Sequence, residues 1–420
     1  MKRFILFCSI LFAWFSLPGL LLADSFRPTV VKNEFLVQTA ENIAQPGVLM
    51  LLLDDPDTGS PPPSETLPVL DTGQIKCYNN TQEITCPEPG EPFYGQDAHY
   101  QPRVPRSYTK LGEGGIELPD NASHIDAEGP WIMTRDNVTG LVWEVKREDR
   151  VLQNMINTYT WYDPDADNQG TQNGGECIGS ECDTYSYIQA LNHPDFEFGG
   201  YSDWRLPTRR ELCSLINWGQ YDPVLDTGWF PNTVSETYWA STTAASDTNF
   251  IWMLLSTAGH VARSHHQVGR HVLAVYGDFL PNSNFVDNLD GTVTDQATGL
   301  MWQKCSMGQT WTGAECTEDP ESLTWEQALA QAEVLEFADY NDWRLPDINE
   351  LQTIVDGTEH NPAVDPLFSE NTEPIDYWSS TTFSNAAKGA WHVHFEHGLV
   401  NDSDKSVSNY YVRAVRTVTD

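Results

Sequence analysis

Two histidines one residue apart, His392 and His394, sit where Trp391, Val393 and Phe395 alternate with His392, His394 and Glu396. That period of two belongs to a strand, and it puts both imidazoles on one face at a spacing suited to metal ligation. A second metal candidate is Asp163, Asp165 and Asp167, alternating carboxylates ahead of Gly170 that offer calcium the oxygen set it takes. Asp287-Asn288-Leu289-Asp290-Gly291 also gathers oxygen donors, and a plain Asp/Gly turn explains it equally well. The remaining candidates are aromatic. Trp204, Arg205 and Trp239, with Trp343, Arg344 and Trp378, either form platforms that stack on sugar rings or are core rings whose arginines anchor a loop. No G-x-S-x-G, phosphate loop, dinucleotide fingerprint or H-E-x-x-H accompanies them, so no catalytic constellation is selected.

The tryptophans recur because the chain repeats itself. Thr139-Gly140-Leu141-Val142-Trp143 matches Thr298-Gly299-Leu300-Met301-Trp302, and Trp204-Arg205-Leu206-Pro207 matches Trp343-Arg344-Leu345-Pro346. Tyr238-Trp239-Ala240-Ser241-Thr242-Thr243 matches Tyr377-Trp378-Ser379-Ser380-Thr381-Thr382. From W-R-L-P the offset is a constant 139 residues (Trp204 to Trp343) as far as Gly259 and Gly398, and it becomes 140 at the closing strand (Val275 to Val415). The copies are unequal. The first has an Asp- and Gly-rich insertion through 163–183, and it carries Met253 and Leu255 where the second has His392 and His394.

Local signals supply the elements that must hold these residues. Thr324-Trp325-Glu326-Gln327 is a capping box opening a helix with Trp325, Ala328, Leu329 and Ala332 on one face. Thr208 to Glu211 and Asp347 to Glu350 are capping boxes directly after W-R-L-P, so each proline marks a bend into a short helix. With strands around Trp391 and over 410–418, each copy reads as an α+β unit: two helices packed on short antiparallel sheets.

The chain's 420 residues have room for several such units. Residues 1–23, with Lys2 and Arg3 ahead of an apolar run and Leu21-Leu22-Ala23 at its end, read as a secretory signal, with no later run long enough to span a bilayer. The stretch 24–66, rich in Pro and Asp, reads as a linker or stalk. Residues 67–110 form a small Cys-closed element, followed by the first copy at 111–277 and the second at 278–420. An exported chain meets an oxidising compartment, periplasmic or extracellular, where Cys77–Cys86, Cys177–Cys182 and Cys305–Cys316 are natural local disulfides. That leaves Cys213 as a buried apolar residue in a helix. A net charge of −37 repels nucleic acid, anionic lipid and sulfated polysaccharide, and it suits uncharged ligands or divalent cations.

Asp290-Gly291-Thr292, Thr298 to Lys304, Asp342-Trp343-Arg344-Leu345-Pro346, Tyr377-Trp378-Ser379-Ser380 and Val412-Arg413-Ala414-Val415-Arg416 resemble the Lcl C-terminal domain family, named after the terminal domain of a collagen-like adhesin. The second copy keeps the pattern. The first departs from it, with Glu144-Val145-Lys146 for Gln-Lys and with Leu273 and Tyr276 for both closing arginines. The segment Cys77 to Tyr100 resembles one often found ahead of this domain. More remotely, R-L-P and its helix are similar to the formylglycine-generating, sulfatase-modifying family. That similarity implies two tandem C-type-lectin-like domains, although the chain has no cysteine after Cys316 for that family's metal.

The resemblance implies a non-catalytic binding or adhesion protein of the bacterial envelope, recognising a glycan or protein surface, with calcium as the one possible cofactor. The acidity argues against carrying over the sulfated glycosaminoglycans associated with that adhesin type. The alternatives are a metal-dependent enzyme using His392 and His394, and a purely structural module.

Overall fold

The computed structural model describes residues 69–100, 104–124, 130–149, 151–406 and 410–418. The expected export signal (1–23) and linker (24–66) lie outside the described residues. The N-terminal element is a small hairpin, β1 (Cys77–Tyr78) against β2 (Glu83–Ile84), pinned by the Cys77–Cys86 disulfide.

The first copy opens with β3 (Tyr108–Leu111), β4 (Met133–Asp136) and β5 (Val142–Glu144). Strand β3 pairs with β4 throughout and so joins this copy's sheet. Helices α1 (Thr184–Leu191) and α2 (Arg209–Ser214) follow, then the meander β6 (Thr237–Thr243), β7 (Phe250–Leu255) and β8 (His260–His265). Strand β9 (Val275–Tyr276) returns to β5 and closes a four-stranded antiparallel sheet.

The second copy repeats the plan: β10 (Phe285–Asp287), β11 (Thr292–Asp295), β12 (Leu300–Gln303) and a hairpin of β13 (Thr310–Trp311) and β14 (Cys316–Thr317) held by Cys305–Cys316. Then come α3 (Trp325–Glu333), α4 (Ile348–Leu351), the short α5 (Pro366–Ser369), β15 (Asp376–Thr382), β16 (Gly389–His394), β17 (Leu399–Asp404) and β18 (Val415–Thr417), the last pairing with β12. The molecule is thus mixed α/β, built of antiparallel sheets with few helices. All three capping boxes read from sequence form, at Thr208/Glu211, Thr324/Gln327 and Asp347/Glu350.

The copies do not stand apart as two domains. Their meanders merge into one six-stranded sheet in the order β15-β16-β17-β8-β7-β6, joined where Val400 pairs with Val261. Those two valines are equivalent positions one repeat apart, so the seam lies on a local two-fold axis. Strands β8 and β17 would each be an exposed sheet edge in an isolated copy, and pairing them removes both edges. One core then serves both copies, with Trp143, Trp252, Leu254 and Val261 packed among Trp302, Trp391, Val393 and Val400. Trp218 meets Trp391 edge-on, ring centroids 4.8 Å apart. Each copy also keeps a private core, around Trp161 and Trp239 in the first and Trp325 and Trp378 in the second.

The Cys-closed element precedes the first copy in the chain but docks on the second. Gln74 donates to the Thr382 carbonyl and accepts from its amide, both at 2.7 Å, and Asp97 accepts from Thr381 Oγ1 at 2.7 Å. Among the described residues no helix is long and apolar enough to cross a membrane.

Candidate functional site

The shared signatures are built into the scaffold. In W-R-L-P the indole Nε1 of Trp204 donates to Phe198 O at 2.8 Å, and Trp343 repeats this to Phe337 O at 3.0 Å. The next residue, Arg205 or Arg344, makes a bidentate pair with the glutamate six residues on, Glu211 at 2.7 Å or Glu350 at 2.6 Å. That glutamate is also the capping-box acid, accepting from the amide of Thr208 or Asp347. Loop, helix start and arginine are therefore locked through one carboxylate.

The second signature completes the lock. The amides of Ser241 and Ser380 donate to the carbonyls of Pro207 and Pro346. Thr242 Oγ1 and Thr381 Oγ1 then accept from the first helical amides, Arg209 N and Ile348 N, each at 3.0 Å. Trp239 and Trp378 are wholly buried, their Nε1 atoms donating to Tyr159 O and Leu323 O. A stacking platform for sugars needs an open ring face, and Trp204, Trp239, Trp343 and Trp378 keep at most 2% exposure. The platform reading is corrected: these rings are core, and Arg205 and Arg344 are their anchors.

The copies differ in how they finish the same frame. In the second, Arg413 is buried over Phe368 and donates to the Gln303, Lys304 and Asn371 carbonyls, while Arg416 pairs with Asp342 at 2.6 Å and lies 3.8 Å over the Tyr340 ring. In the first copy Tyr276 replaces that cation and stacks on Tyr201, the equivalent of Tyr340, at 4.1 Å. The first copy also buries its own triad. Lys146 Nζ lies 2.9 Å from Glu144 Oε1 and 3.1 Å from Tyr187 OH, and Tyr187 OH donates to Glu144 Oε2. Burial pushes the Lys146 ammonium down and the Tyr187 phenol up.

The metal candidates do not assemble. Asp163 Oδ1 accepts from the Asp165 amide at 3.0 Å in a tight turn, and Asp165 and Asp167 are exposed. Among the described residues the one set of His, Cys and acidic groups close enough for a shared ion is Cys77, Cys86 and His99, where both sulfurs are already in a disulfide. Alternation around His392 suggested two imidazoles on one face free for a metal, but β16 is an interior strand flanked by β15 and β17, and the two side chains meet different partners. His392 is 3% exposed, 2.8 Å from Asp376 and packed on Tyr410, whereas His394 faces His397 at 6.4 Å between rings. At Asp287 to Gly291 the turn reading holds: Asp287 pairs with Lys304 at 2.6 Å, and Asp290 accepts from Thr292.

The feature that sequence reasoning missed is a cleft of about 700 Å3 between the copies, lined by α2 on one side and by α4 and the turn after it on the other. Arg209 reaches across it, lying 4.7 Å over Trp252 and donating to Gly398 O at 2.9 Å. Arg210 lines the same cleft. The pair Arg209-Arg210 stands where the second copy has Ile348-Asn349, a difference visible in the repeat alignment but without meaning until the copies are seen to face each other.

No curated protein matches the chain. The model of the Lcl C-terminal domain matches it twice, over residues 132–276 and 291–416, which is well over half its length. Both spans hold the W-R-L-P lock, the meander and the closing strand, so the chain belongs to the Lcl C-terminal domain family and carries that domain as two tandem copies.

Proposed function

We propose that this chain is an exported, non-catalytic binding protein of the bacterial envelope, whose paired lectin-like domains recognise a glycan or protein surface. One observation carries the reading: the polar residues of the shared lock, Arg205/Arg344, Glu211/Glu350 and Thr242/Thr381, are engaged by one another or by the helix-start amides. A shared reaction would require shared groups left free to meet a substrate. Recognition instead falls to the loops in which the copies differ, and the net charge of −37 favours an uncharged ligand.

The test is the full chain on a glycan and surface-protein array, with and without a chelator, beside metal analysis of the purified protein. Saturable binding to an uncharged glycan or a protein surface is expected. Stoichiometric copper or iron would replace this reading with the metalloenzyme alternative, and binding to no member of the array would leave a structural module.

A further inference from the structure

Arg210 is the one described arginine with neither an ion pair nor a hydrogen bond. Its counterparts elsewhere are held by carboxylates, as Arg205 is by Glu211 and Arg416 by Asp342, or by carbonyl oxygens, as Arg413 is. Asp295 lies close enough to attract it, yet that carboxylate already accepts from Asn284 N, Ala297 N and Thr298 Oγ1. Arg209 beside it is 7% exposed, and its Nε has no acceptor. Across the cleft the Gln352 Nε2 is likewise buried without an acceptor. Arg210 thus lines the cavity as a partly buried cation with no protein acceptor, beside Arg209 and Gln352, which bond each other at 3.3 Å. The two acids in the lining are already engaged, Asp356 by Thr358 and Asp365 as the cap of α5. Apolar walls from Leu70, Leu280, Phe285 and Ile354 complete the cleft.

We propose that this inter-copy cleft is a binding site for a small amphipathic carboxylate, its oxygens taken by the Arg210 guanidinium and its apolar body lying on the Leu280–Ile354 side. An anion is selected because a guanidinium has donors only. A monoanion is selected because the cleft offers one free guanidinium, while Asp356 and Asp365 in the lining and the nearby Asp295 add repulsion that a phosphate dianion would meet more strongly. A volume of about 700 Å3 suits a ligand of small-molecule size. The site is independent of the surface recognition proposed above, since it lies on the seam and not on the divergent loops.

Calorimetric titration of the full chain with octanoate, 1-octanol and inorganic phosphate, at physiological ionic strength, tests this directly. Octanoate is expected to bind at least about tenfold more tightly than 1-octanol, which has the same chain without the charge. Arg210→Gln is expected to remove that tenfold preference while leaving octanol binding and the circular dichroism spectrum unchanged, and Arg210→Lys to retain part of it. Equal binding of octanoate and octanol by the unaltered protein would overturn the proposal. So would an Arg210→Gln protein that keeps the preference, or phosphate binding more tightly than octanoate.

Discussion

The Arg344 side chain is 5% exposed and its partner Glu350 wholly buried, whereas Arg205 keeps 18%. Removing one member of a buried pair strands the other, at a cost of about 3–5 kcal/mol. Glu350→Gln is therefore expected to lose roughly that much in urea unfolding, and Glu211→Gln less, because water reaches Arg205 and it also donates to the Gly277 carbonyl at 3.0 Å. Equal losses would mean that burial does not set the strength of the lock. Lys405 poses the opposite problem. It is fully buried, 3.9 Å over Trp325, with Thr382 Oγ1 as its hydrogen-bond acceptor at 2.8 Å, and burial pushes its amine down from 10.5 to about 6. Between those values the unfolded chain holds a proton that the folded chain does not, so stability rises with pH from about 6 to about 10.5, at no more than about 1.4 kcal/mol per unit. Lys405→Met keeps the volume and removes the charge. It is expected to stabilise the protein at pH 7 and to flatten that ramp, as read from urea midpoints across the range. These single-residue roles were only partly legible in sequence. The arginine of W-R-L-P and the capping-box glutamate were both visible, but their pairing needs the bend at the proline.

At the scale of elements, sequence was most informative where the physics is local. Three capping boxes, three short-range disulfides and the buried Cys213 all appear where spacing placed them, because each is decided within about a dozen residues. Alternation around His392 misled for a physical reason: it distinguishes one strand face from the other, but not a solvated face from one covered by Tyr410 and Trp378. The caps themselves differ between copies. Helix α2 is capped by Thr208, while α4 is capped by Asp347, whose carboxyl is pushed well up by burial and by the nearby Glu350 and Asp97 carboxylates. A raised carboxyl penalises the folded state once pH exceeds its unfolded value, near 4, and the penalty grows until the folded group ionises. Asn caps a helix as well as Asp does. Asp347→Asn is therefore expected to stabilise the protein by about 1 kcal/mol at neutral pH and by little at pH 3.5. Thermal unfolding at the two pH values checks this, and an equal gain at both would show that repulsion is not the cause.

The whole molecule departs furthest from what its sequence announces, since a repeat reveals two copies but not the contact between them. The Val261–Val400 seam joins residues 139 positions apart (261 to 400), and neither edge strand carries a mark that it will be paired. The cleft beside the seam was hidden for the same reason, because Arg210 is ordinary until the opposite wall is in place. The N-terminal element tightens the union: it leads into β3 of the first copy while Gln74 and Asp97 bind the second, so the chain wraps both. The shared core holds the largest cluster of apolar side chains, with Trp218 and Trp252 of one copy against Trp391 and Gly398 of the other. A copy cut off at residue 277 would expose that core face and leave β8 as a bare edge. Residues 69–418 are accordingly expected to unfold in one cooperative transition, with tryptophan fluorescence and far-ultraviolet dichroism coincident. Trp391→Ala, made in the second copy alone, should lower that single midpoint by about 3–5 kcal/mol of stability without splitting it. Two separable transitions, with the first copy's unmoved by Trp391→Ala, would mean that the copies fold as independent domains and that the joined sheet is a contact between them, not a common core.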